Sequence, residues 1–217
     1  MRAIDYGTAS GSMVALVWAF LFLTGTALTV NAIEEPPYTL ETKDQEFEVR
    51  VYGPQLVAET VVEGSLEAAG NRGFRPLFRY ISGDNESKTK IPMTSPVGQE
   101  RRLGEKIKMT APVGQKASNN GWAVTFMMPS TYTMETLPEP TDKRVKLREI
   151  PAARMAAVRY SGRWTQRGYD RHLAHLRGWM KVQGLKPAGE PMWARYNAPF
   201  TLPFLRRNEV LIPLVAN

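Results

Sequence analysis

Two histidines, His172 and His175, are the entire imidazole supply of this 217-residue chain, and it contains no cysteine. Without cysteine there are no disulfides, thiolate metal sites, thiol nucleophiles or thiolate ligands for iron. The histidines stand three residues apart beside Trp179, off the stripe of Tyr169, Leu173, Leu176 and Met180 that helical spacing sends into a core. On that geometry they belong to the flank of a helix, and neither is assigned as a metal ligand. Met93, Met109, Met127 and Met128 fall in predicted strands, where packing is the role expected of thioethers. No P-loop, Gly-x-Ser-x-Gly elbow, His-Glu-x-x-His pair or dinucleotide fingerprint occurs. The expectation is therefore a binding protein with no catalytic residue. Because scattered acids and bases leave no motif, an enzyme acting on a small anionic ligand stands as the alternative.

Lys and Arg number 28 against 21 Asp and Glu, a net charge of +7. Removing residues 1–32 takes away Arg2 and Asp5 and leaves that surplus unchanged. Such a charge favours anionic partners, whether lipid, nucleic acid or a carboxylate-bearing small molecule. The cations are scattered apart from pairs such as Arg101-Arg102 and Arg206-Arg207, and no recognition helix, RNA-binding signature or zinc-finger spacing turns them into a nucleic-acid surface.

The elements that must position any site begin after an N-terminal targeting segment. Met13 to Val30 is an uncharged apolar run broken only by Thr24, Gly25, Thr26 and Thr29, and Val30-Asn31-Ala32 suits a signal peptidase. Residues 1–32 are read as a signal peptide or an uncleaved membrane anchor, since the run is just long enough to span a bilayer. Export follows as the expectation, to a periplasmic or membrane-anchored location. Residues 33–45, opening with Glu34-Glu35-Pro36-Pro37, are read as a linker, and residues 46–217 as one domain.

Within that domain the pattern predicts strands at Phe47 to Val51 and Leu56 to Val62 around a Tyr52-Gly53-Pro54 turn, then a helix over Leu66 to Ile81 with Pro76 inside it. Strands over Lys90 to Pro96, Lys106 to Pro112 and Trp122 to Met128 follow. The plan then repeats: strands at Lys146 to Ile150 and Met155 to Tyr160, a helix over Arg167 to Val182, strands at Met192 to Tyr196 and Glu209 to Pro213. Val49-Arg50 aligns with Leu147-Arg148, and Gly64 with Gly162, at one constant offset. The predicted fold is α+β, a distorted β-barrel of two pseudo-two-fold related strand-strand-helix-strand units with two helices packed on the sheet. A shorter repeat copies Lys90-Ile91-Pro92-Met93-Thr94-Ser95-Pro96-Val97 as Lys106-Ile107-Lys108-Met109-Thr110-Ala111-Pro112-Val113, the proline closing each strand.

Four segments, Phe47 to Pro54, the two Lys-Ile-x-Met-Thr-Ser/Ala-Pro-Val copies, Phe126 to Ser130 ahead of Leu137-Pro138-Glu139-Pro140, and Arg206 to Val210, together resemble the SOUL haem-binding family from about Tyr38 to Leu214. The doubled Met-Thr-Pro strand is most similar to its bacterial branch. The resemblance implies non-enzymatic binding of haem or another tetrapyrrole, as a carrier or buffer, on a surface between the first helix and the loop joining the last two strands. By position that surface takes Phe74, Phe78 and Arg79 from the helix and Tyr196, Asn197, Pro199, Phe200 and Arg206 from the loop. Flat aromatic walls for a porphyrin and cations for its propionates are the chemistry such a site needs. Some members carry a histidine before the Tyr-Gly-Pro turn as an axial iron ligand, but this chain has Val51 there. Haem is thus expected without a strong axial bond. Similar two-fold barrels also serve as effector-binding domains, so a ligand-sensing or membrane-surface module is a further alternative, resting on fold likeness.

Overall fold

The computed structural model describes residues 33–88 and 104–216. The apolar run at 13–30 and the predicted strand at Lys90 to Pro96 lie outside them. Period-two patterning governs most of the rest. The strands are β1 (Tyr38–Asp44), β2 (Phe47–Tyr52), β3 (Gln55–Val62), β4 (Asn85–Glu86), β5 (Val113–Ser118), β6 (Gly121–Met127), β7 (Glu139–Pro140), β8 (Lys146–Ile150), β9 (Ala153–Tyr160), β10 (Met192–Arg195) and β11 (Asn208–Pro213); the helices are α1 (Leu66–Ile81) and α2 (Gln166–Val182). Nine strands form one antiparallel sheet in the order β1-β2-β9-β11-β10-β5-β6-β3-β8, and β4 pairs with β7 apart from it.

Exchanging β2 with β8, β3 with β9, β5 with β10 and β6 with β11 turns the inner eight-strand order into its own reverse. The pseudo-two-fold axis therefore passes between β5 and β10, where Trp193 pairs with Gln115. Helix α1 packs on β3 and β6, and α2 on their counterparts β9 and β11. This is the two-unit α+β architecture the repeat predicts, a sheet curled into a half-barrel under two helices.

The matched glycines of the repeat have a local reason. Gly64 and Gly162 stand at φ +113° and +134°, in the region that disfavours a Cβ, just before the helix caps. Ser65 then accepts from the Ala68 N–H at 3.3 Å, and Thr165 from the Gly168 N–H at 3.1 Å. Helix α1 runs on through Pro76, which is buried with Leu77 and Tyr80. Gly73 brings that helix onto β6, since a Cβ there would sit 2.5 Å from Val124 Cγ2.

Two stretches differ from the sequence reading. Lys106 to Pro112 is not a strand: the Ile107 N–H donates to Ile81 O at the end of α1, and the Ala111 N–H to Glu34 O. Pro112 has no N–H for a ladder, and β5 starts only at Val113. Tyr38 to Asp44, read as linker, forms edge strand β1 against β2. Ahead of it Glu34 also accepts from the Ser130 N–H, and Glu35 from Arg207, so residues 34–37 lie strapped to the sheet.

Candidate functional site

Strand alternation divides the strands' side chains between two faces of the sheet. On the face away from the helices, Tyr52, Met155, Ala157, Ala194 and Leu211 form a cluster joined by Met192 and Tyr196. Tyr52, Met155, Met192, Tyr196 and Leu211 line a cavity of about 290 Å³ whose walls also include Val57, Met127, Ile150 and Pro213. Beside it lies a closed charge network. Fully buried Glu209 accepts from Arg50 Nη1 and Nη2 at 2.6 and 3.1 Å, from Arg207 Nε at 3.0 Å and from the Tyr196 hydroxyl at 3.0 Å. Arg50 donates further to Glu48 at 2.7 Å and to the Tyr52 hydroxyl at 3.1 Å. Burial pushes the Glu209 carboxyl up, but the hydrogen bonds and charges of Arg50 and Arg207 outweigh it and hold it below the usual carboxylate range.

The helix-covered face carries a different row. Tyr160, Asn208, Arg195, Val113 and Phe126 lie side by side on β9, β11, β10, β5 and β6 in register. Trp164 covers its centre, its indole N–H donating to Asn208 Oδ1 at 2.7 Å. Phe74 of α1 packs edge-on to Phe126, ring centroids 5.2 Å apart, and stacks at 5.6 Å on Phe78, which is 45% exposed.

Arg195 is the odd member of the row. It is 6% exposed, lies over the rings of Trp164 and Trp193 at 5.0 and 5.4 Å, and has no carboxylate partner among the described residues. Its Nε is sealed from water without a hydrogen-bond partner, while the buried Trp193 indole N–H and Tyr160 hydroxyl nearby face each other. Room for the guanidinium comes from Gly70, where a Cβ would meet Arg195 Nη2 at 2.5 Å. Burial pulls this group down to about 10. Relative to an ordinary arginine, keeping it charged costs about 3 kcal/mol.

The eight residues carried over from the resemblance do not all meet. Phe78 and Arg79 lie on the exposed side of α1 and Phe74 is half-buried between Phe78 and the core, with Arg79 paired with Asp84 at 2.6 Å. Phe200, 89% exposed, and Pro199 project from the loop with Leu202, Phe204 and Leu205. Arg206 and Asn197 shape that loop from within: Arg206 donates to Thr201 O and Pro199 O, both at 2.7 Å, and Asn197 Oδ1 accepts from the Arg207 N–H. Tyr196 turns to the other face, into the Glu209 network, because it follows Arg195 in a strand whose side chains alternate. The loop is tied to the helix side through Trp164, over which Arg206 lies at 4.3 Å and Arg195 at 5.0 Å.

His172 is half-buried, stacks on Tyr160 at 3.8 Å and places Nδ1 2.8 Å from Gly168 O. Burial lowers its pKa. No cluster of three or more His, Asp or Glu side chains suited to a metal ion occurs among the described residues.

A family profile described as SOUL heme-binding protein matches residues 33–213. The chain belongs to the SOUL haem-binding family. Heme-binding protein 1 of Xenopus laevis is 26% identical over 76% of this chain and 81% of its own length, and heme-binding protein 2 of Mus musculus 26% over 83% and 85%. Among solved structures, a protein described as a hydrolase from Listeria innocua superposes with a TM-score of 0.54 at 14% identity, covering 80% of this chain and 94% of that one. The C-terminal domain of EcmrR gives 0.50 at 11%, covering 83% and 99%. At these identities the likeness shows the fold alone. Family membership itself supports a tetrapyrrole ligand.

Proposed function

We propose that this SOUL domain binds haem or a related tetrapyrrole without transforming it, on the helix-covered side, serving as a carrier or buffer outside the cytoplasm. Export through residues 1–32, either cleaved or kept as an anchor, is part of this reading. One observation carries the site: Phe74 and Phe78 stack in a row along α1 with the outer ring left in water, while Phe200 stands almost fully exposed on the loop. Aromatic faces presented to solvent beside Arg79 are what a flat, apolar, dianionic ligand would cover. Affinity then comes from burial and charge pairing rather than from an iron bond, in keeping with Val51 at the turn and His172 held by Tyr160 and Gly168.

Titration of the full chain in detergent with haemin tests this. A saturable Soret change near one equivalent is expected, weakened about tenfold in Phe78→Ala and weakened in Arg79→Glu. Under reductant and oxygen the bound spectrum should persist. Failure to saturate, or indifference to both substitutions, would remove the assignment, and conversion to a bile-pigment spectrum would make the protein an enzyme.

A further inference from the structure

A buried guanidinium without an anion is a group for which the fold alone gives no reason. Replacing it by an apolar side chain of similar volume would relieve the desolvation, yet the fold is built around it. Gly70 opens the helix backbone to it, and two indole rings flank it. The guanidinium Nε is sealed from water and has no hydrogen-bond partner. What is missing there is an acceptor.

The position of Arg195 relative to α1 indicates which acceptor. Gly70, Phe74 and Phe78 are spaced four residues apart, so they form one row on the helix surface. From the residue that touches the Arg195 guanidinium to the exposed ring of Phe78 the row spans about 12 Å. That length suits a macrocycle packed on the outer ring, Phe78, with one acidic arm directed along the row to the arginine. Arg206, the cation expected at this point from the resemblance, already spends its Nε and Nη2 on the carbonyls of Thr201 and Pro199.

We propose that Arg195 is the carboxylate anchor of the tetrapyrrole site and sets its preference for ligands with free propionate side chains over neutral porphyrins. This rests on the tetrapyrrole reading above. Binding supplies the missing anion: a propionate oxygen accepts from the guanidinium, and a charge that destabilises the empty protein becomes a paired one.

The test compares haemin with its dimethyl ester, which keeps the macrocycle and iron but has no free carboxylate. The full chain in detergent should bind haemin about ten- to a hundredfold more tightly than the ester. Arg195→Met should bind both alike, at the affinity wild type shows for the ester, while melting at or above the wild-type temperature. Gly70→Ala, which keeps the arginine but drives a methyl into it, should shrink the preference too. A wild type that does not distinguish acid from ester, or an Arg195→Met protein that still does, overturns the anchor and leaves the tetrapyrrole reading standing. Binding of neither compound by wild type overturns both.

Discussion

Arg50 and Arg195 are buried to nearly the same depth in one sheet, at 2% and 6% exposure, on opposite faces and in opposite electrical surroundings. Arg50 donates to Glu48, to both oxygens of Glu209 and to Tyr52. Arg195 has indole rings and a glycine. A buried charge with all its partners locks strands together, and here it joins β2 to β11 across β9. One without a partner destabilises the chain that carries it. The contrast separates a buried charge that the fold satisfies from one that, on the reading proposed above, a ligand would satisfy.

The largest expected effect is on the closed network. Glu209→Gln leaves Arg50 and Arg207 without the carboxylate they share and should cost about 3–5 kcal/mol in urea unfolding. The sign of the pH dependence follows from the lowered folded-state pKa of Glu209. Its contribution is fully present above the ordinary carboxyl value of 4.5 and is lost as pH falls through the folded value. Wild type should therefore lose stability on acidification below about pH 4.5 more steeply than Glu209→Gln. A loss of under ~1 kcal/mol at neutral pH would mean the network is no stronger than a surface ion pair, and the contrast with Arg195 would collapse.

Next in size, and opposite in sign, is Arg195→Met in the ligand-free protein. Removing an unpaired buried charge for an apolar side chain should leave stability unchanged or raise it by up to ~3 kcal/mol, read from the same urea titrations. A drop of ~2 kcal/mol or more would show that the indole contacts already satisfy the guanidinium. Arg195 would then be structural like Arg50.

These two arginines also show what a sequence can and cannot disclose. Helix α1 was legible to the residue, because its apolar spacing is bounded by a serine cap and glycines on either side. Strand β1 was not, because Thr39 to Asp44 presents no apolar face and is exposed along its whole length. Its only signal is alternation that buries nothing. The Lys106 to Pro112 segment misled in the other direction: β-prone residues next to a repeat suggested a ladder, but their backbone bonds go to a helix end and to Glu34. For the proposed site, Phe74, Phe78 and Phe200 come by position from the resemblance, whereas Arg195 is not among the residues it points to, because an arginine at a strand end reads as a solvated charge. A signal was present. Trp193 and Arg195 share a face, and with Trp193 assigned to the core a period of two sends Arg195 there as well. What the sequence withholds is which carboxylates come near, since Glu209 reaches Arg50 from a strand 159 residues away.

The smallest effect concerns Arg206, intermediate between the other two: half-buried, over Trp164, and engaged with backbone oxygens instead of carboxylates. Removing it should leave global stability within ~1 kcal/mol, because its partners are in a loop that can turn its carbonyls to water. Locally the change should be larger. The Thr201 N–H donates to Ala198 O and the Leu205 N–H to Leu202 O, so both amides should exchange with deuterium faster in Arg206→Ala, while those of Asn208–Pro213 keep wild-type protection. Unchanged exchange at Thr201 and Leu205 would mean that Pro203 and the short helix Pro203–Leu205 hold the loop without help, and would leave Arg206 available to a ligand as a second cation beside Arg195.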